Sequence, residues 1–93
     1  RWHRVLDASE NWHFYGGAPL HLFISHDGDA VETHELGSIV DGHSAQQAAV
    51  PAGAWQCATT TGAFSLVSCD VAPEFRFDVF ELAEEGWEPA SRR

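Results

Sequence analysis

Trp2-His3-Arg4-Val5-Leu6-Asp7-Ala8-Ser9-Glu10-Asn11-Trp12-His13-Phe14-Tyr15-Gly16-Gly17 opens the chain, and Val50-Pro51-Ala52-Gly53-Ala54-Trp55-Gln56 follows about 40 residues later. In the first stretch a histidine and a glutamate stand ahead of an aromatic run that ends in glycines. Alternation puts Glu10, Trp12 and Phe14 on one face of a strand and Asn11, His13 and Tyr15 on the other. The second stretch is a Pro-x-Gly turn leading into another aromatic strand. Further out, Leu20–Ser25 and Val31–Leu36 flank Asp27-Gly28, a hairpin signal. Gly37, Asp41-Gly42 and Pro51-Ala52-Gly53 punctuate the middle, and Thr60-Thr61-Gly62 separates the β-rich runs Trp55–Thr59 and Phe64–Val71. Short strands with turns roughly every 8–12 residues predict an all-β sandwich or barrel. The spacing of Phe75, Phe77, Phe80 and Leu82 predicts an extended stretch that becomes a helical turn over Asp78–Leu82, with its phenylalanines as an apolar plug or interface. Residues 83–93 are a polar tail, predicted to be partly disordered.

The chain has 93 residues, one domain's worth, so residues 1–93 are read as a single domain. It carries a net charge of −9, with five arginines and no lysine. With no basic stripe to neutralise phosphates, a nucleic-acid partner is not expected. Hydrophobic residues at 44% exclude a disordered chain. No stretch approaches the roughly 18 apolar residues of a membrane span, so no membrane partner is expected. Glu81, Glu84, Glu85 and Glu88 read as a solvated surface. Cys57 and Cys69 are too few for a disulfide framework and match no zinc spacing. They read as buried, reduced thiols in a cytoplasmic protein, with a cross-strand disulfide as the alternative.

His3 and Glu10 are seven residues apart around a turn, a spacing that lets both reach one mouth of a barrel. A histidine is poised near neutral pH, so His3 is the candidate general base, with Glu10 orienting it or serving as the acid. Trp12, Phe14 and Trp55 supply flat apolar walls if they share a face with Glu10; the other reading is plain core. Such a site suits a small polar molecule with an apolar or planar part. His13 falls on the outer face, and His21, His26, His34 and His43 are scattered without a ligand spacing. Neither a phosphate-cradling loop nor a nucleophile elbow is present.

Trp2–Gly17 with Ala18-Pro19-Leu20 resembles a signature of the cupin superfamily, His-Arg-Val-x-x-x-Glu-x-Trp-His-x-x-x-Gly-x-Pro-Leu. Gln47–Gln56 looks like the second cupin motif, and Leu66–Leu82 is similar to the closing segment of the DUF985 (Cupin_5-like) branch of small cupin-like proteins. The resemblance implies an RmlC-like jelly-roll barrel, lacking N-terminal strands that other members carry. It implies a small-molecule-binding site, possessed of epimerase- or isomerase-like chemistry through His3 and Glu10, with Trp12, Phe14, Gln47, Trp55 and Gln56 on the ligand. Metal cupins supply His-x-His, a glutamate and a later histidine; here Arg1 and Gln56 stand at two of the imidazole positions. A divalent metal would have His3, Glu10 and Gln56, fewer strong donors than the usual three or four, so no metal is expected. The alternatives are a metal-dependent oxygenase, isomerase or lyase, and a non-catalytic binding or assembly module. A barrel short of strands must cover an edge, and a symmetric homodimer is the expected solution.

Overall fold

A computed structural model describes residues 1–38, 45–72 and 80–92. Its elements are β1 (His3–Val5), β2 (Ser9–Gly17), β3 (Leu20–Ser25), β4 (Glu32–Leu36), β5 (Gln47–Val50), β6 (Trp55–Thr60), β7 (Ser65–Ala72), β8 (Phe80–Leu82) and a 3-10 turn, Ala90–Arg92. They form two antiparallel sheets, ordered β4-β3-β6-β1-β8 and β5-β2-β7. The described residues are all-β, as the strand rhythm predicts, and their two sheets form the jelly-roll-like fold that the resemblance implies.

Period-two burial builds the core. In β2, Glu10, Trp12 and Phe14 are buried while their neighbours are not, and in β3 Leu20, Leu22 and Ile24 are buried while His21 and Phe23 between them are only partly so. Trp12, Phe14 and Val50 from one sheet meet Leu20, Leu22, Ile24 and Leu36 from the other in a single cluster closed by Ala54. Burying a side chain of this size is worth about 1.5–3 kcal/mol.

Asp27-Gly28 marks the hairpin as expected, but pairing begins at Ile24 with Glu32, so the loop is wider than two residues and Val31 lies outside β4. The Asp27 carboxylate accepts from the N–H groups of Asp29 (2.8 Å) and Ala30 (3.0 Å), which holds its pKa below the usual range. Tyr15 is an extra residue against β7, a bulge just before the strand ends. There Gly17 takes φ 83°, and Ala18 N–H donates to Phe64 O at 2.8 Å.

Phe80–Leu82 is strand, not a helical turn, because it pairs with β1: His3 with Leu82, Arg4 with Glu81 and Val5 with Phe80. The exposed ladder of β1 offers backbone partners that a lone turn would not. Phe75, Phe77, Asp78, Asp41-Gly42 and His43 lie outside the described residues. The polar tail is tied back at several points where fraying is expected. Ala83 N–H donates to Trp2 O (2.9 Å), Pro89 is fully buried, and Ala90 and Ser91 N–H donate to Gly28 O and Asp29 O on the β3–β4 loop. Ser91 Oγ also donates to Asp29 O. Among the described residues no helix is long and apolar enough to cross a membrane.

The cysteines are free, Cys57 partly exposed and Cys69 exposed, so neither is the buried thiol expected. Cys57 pairs with Phe23 in the first sheet and Cys69 with Trp12 in the second. A cross-strand disulfide needs neighbouring strands with Cα atoms within about 7 Å, which this arrangement does not provide.

Candidate functional site

Two polar links cross from one sheet to the other. In the first sheet His3 sits directly opposite Gln56, and in the second Glu10 and Trp12 are two apart on the inner face of β2. His3 Nε2 lies 3.9 Å from Glu10 Oε2. Trp12 Nε1–H donates to Gln56 Oε1 at 2.7 Å. The first link is within ion-pair range but longer than a hydrogen bond. The second is buried and short.

Burial separates their roles. Glu10 is 8% exposed, yet it is a carboxylate with a histidine beside it, and His3 remains partly open. Gln56 is 1% exposed and its carbonyl oxygen is committed to Trp12, so it clamps the tryptophan rather than offering that oxygen to a ligand. Phe14 belongs to the core cluster and walls this region.

Trp55 and Gln47 are placed elsewhere. Trp55 precedes Gln56 in β6, and neighbours in a strand point to opposite faces, so Trp55 lies on the outer face. There the Arg4 guanidinium sits 4.3 Å above its ring and the Trp87 ring lies tilted against it at 4.7 Å. Gln47 pairs with His13 and shares its outward face, where it is exposed. His13 Nε2 is 3.0 Å from Asp70 on that face. His21 lies edge-on to Phe23 outside the first sheet. His26 and His34 each reach one oxygen of Glu32 at 3.2 Å; the hydrogen bond from His34 leads in lowering the Glu32 pKa.

Cys69 is the neighbour that the sequence reading missed. It is the register partner of Trp12, so it projects to the inner face beside Glu10. Although the residue is exposed, loss of water around its thiol and the adjacent Glu10 carboxylate push its pKa up to about 12. A raised thiol pKa favours folding below the ordinary thiol range near 9, and that contribution is lost as pH rises toward about 12. Cys69 should therefore resist alkylation at pH 8, reacting on the order of a hundredfold more slowly than in the urea-unfolded chain. Mass mapping of iodoacetamide adducts against time tests this; equal rates in both states would refute it.

The described residues do not fit a resident metal. Among the described residues no three His, Cys, Asp or Glu side chains converge as a ligand set. Gln56 Oε1, the expected third donor, accepts from Trp12 instead.

A sequence model of the Cupin_5 family, described as Cupin superfamily (DUF985), matches residues 1–83. Among solved structures, a crystal structure of protein SO0799 from Shewanella oneidensis is similar at 33% identity with a TM-score of 0.81, over 89% of this chain and 52% of that one. A hypothetical protein from Leishmania major is similar at 27% identity with a TM-score of 0.73, over 88% of this chain and 56% of that one. The chain thus spans about half the length of these relatives. No curated protein matches it.

Proposed function

The chain belongs to the Cupin_5 (DUF985) family of the cupin superfamily, and from that premise we propose that its inner face binds a small polar molecule and moves a proton on it through His3 and Glu10. The observation that carries this reading is the cross-sheet pair itself: an imidazole 3.9 Å from a carboxylate that is 8% exposed. His3 takes a proton from the bound molecule, and Glu10 stabilises the imidazolium that results. Low water content around Glu10 strengthens that attraction relative to a surface pair. Trp12, pinned by Gln56, offers a flat wall against the apolar or planar part of the ligand. Proton removal and return at a carbon beside a carbonyl is the reaction class such a pair serves, as in an epimerase or isomerase.

The reading extends to assembly and setting. Tyr15, Phe64 and Leu66 are exposed at one end of the second sheet, an apolar patch that a second copy of the chain would cover in a homodimer. Two free thiols held in different sheets support a reducing, cytoplasmic setting.

The test is a thermal-shift screen of monosaccharides, sugar acids and hydroxy acids, repeated on two variants. A compound that raises the melting temperature of the native protein should lose its effect on His3→Ala and on Glu10→Gln. His3→Ala should itself cost less than about 1 kcal/mol, since a partly open ion pair contributes little. A variant of His3 that fails to fold, or that keeps full ligand stabilisation, would remove His3 from the site.

A further inference from the structure

The outer face of the first sheet carries aromatic and charged groups that the inner site does not use. Trp2, Trp55 and Trp87 gather there, with Trp87 tilted against Trp55 at 4.7 Å and edge-on to Trp2 at 6.2 Å. Beside Trp87 lies a groove of about 230 Å³, lined by Trp55, Glu81, Leu82, Ala83, Glu84 and Trp87. We propose that this groove is a binding site for a small organic cation with a guanidinium head.

Three features carry this. First, the face already holds a guanidinium in the arrangement proposed. Arg4 lies 4.3 Å over the Trp55 ring while its Nε and Nη2 donate to Glu81 Oε2 at 3.2 and 2.8 Å. A tryptophan face with a carboxylate at its edge is the pairing that planar cations favour. Second, Trp55 and Trp87, inclined at 41° to each other, both line the groove and give it two aromatic walls. Third, the groove's own lining holds two carboxylates, Glu81 and Glu84, and no cationic side chain. Arg4 offsets Glu81, leaving the exposed Glu84 as the counter-charge for a ligand. The net charge of −9 adds a long-range attraction for cations.

The contrast with the other side of Trp87 sharpens the assignment. A larger groove there, about 560 Å³, is lined by Glu85 and Glu88 but also by Arg1, whose guanidinium donates to Ala83 O at 2.7 Å. A cation entering that groove meets the Arg1 guanidinium at its lining; the guanidinium beside the smaller groove, Arg4, is paired with Glu81. The smaller groove lies below the roughly 300–1,000 Å³ of drug-sized pockets, which selects a free small molecule over a folded partner.

The probe is agmatine, a guanidinium on a short alkyl chain, followed by calorimetry and tryptophan fluorescence. Binding should saturate with a dissociation constant on the order of 1 mM and weaken as salt rises. Butylurea, uncharged but of similar shape, should not bind. Glu84→Gln, an exposed isosteric change, should weaken agmatine at least about fivefold while circular dichroism stays unchanged. Trp87→Leu should abolish it. Glu10→Gln should leave agmatine binding as it was, because Glu10 lies on the inner face of the other sheet. Equal binding of butylurea, an unchanged Glu84→Gln, or a loss in Glu10→Gln would overturn the proposal. So would tighter binding of an arginine-bearing peptide than of agmatine, which would make the face a protein contact instead.

Discussion

Trp12→Ala should lower the free energy of unfolding by about 3–5 kcal/mol, the range for truncating a buried tryptophan. A domain of this kind has only about 5–15 kcal/mol in total, so the variant will be close to unfolding at room temperature. Two losses combine. The indole leaves a void in the cluster it shares with Phe14, Leu22 and Leu36, and Gln56 Oε1, buried at 1% exposure, loses its donor. Trp12→Phe separates them, since it keeps a ring in the cluster but removes the indole N–H; an unsatisfied buried acceptor costs about 1–3 kcal/mol. Urea titration of both variants is the measurement. A loss below about 1 kcal/mol for Trp12→Ala would mean that the indole is not the packed, hydrogen-bonded group described.

Gly17→Ala should be the next most damaging change, at about 1–3 kcal/mol. The backbone there has φ 83°, which an alanine adopts only with strain. A Cβ would also fall 2.7 Å from the Phe64 carbonyl oxygen and 2.8 Å from its ring. That oxygen accepts from Ala18, so retreating breaks the bond that ends β2. Gly53 provides the comparison: its φ is 82°, but nothing lies within 4 Å of a Cβ built there. Gly53→Ala carries the backbone strain alone. Denaturant midpoints that rank Gly53→Ala as the more harmful of the two would contradict the steric argument.

What the sequence made legible follows from how local each signal is. Alternation along β2 needs only its own residues, so the sidedness of Glu10, Trp12 and Phe14 could be read directly. The Asp27-Gly28 turn is equally local, and its hairpin is present. Trp55 shows the limit. Trp55 and Gln56 are adjacent in one strand, so they cannot both face inward, and aromatic character alone does not say which does. The partner strands decide it: Gln56 sits opposite His3, which fixes the parity of β6. Gln47 and Cys69 depend likewise on registers with β2 that only the folded sheet sets. The tail is the most distant case. Its composition is that of a solvated segment, but Trp87 packs against Trp2 and Trp55, and Ala90 and Ser91 N–H donate to Gly28 O and Asp29 O, partners far away in the sequence.

The bond between Trp12 and Gln56 makes the protein a gauge. One end belongs to β2 and the other to β6, so a hydrogen bond of 2.7 Å ties the spacing of the two sheets to the length of an indole and an amide. Hydrogen bonds tolerate only a few tenths of an ångström before weakening. The gap that His3 and Glu10 share is therefore calibrated by a neighbour one register step away, not by whatever molecule enters it. A guest wider than that calibration must first break the bond, and a narrower one gains nothing from closing the sheets. Selection by width would then be built into the two sheets themselves, adjustable at Gln56 without touching His3 or Glu10.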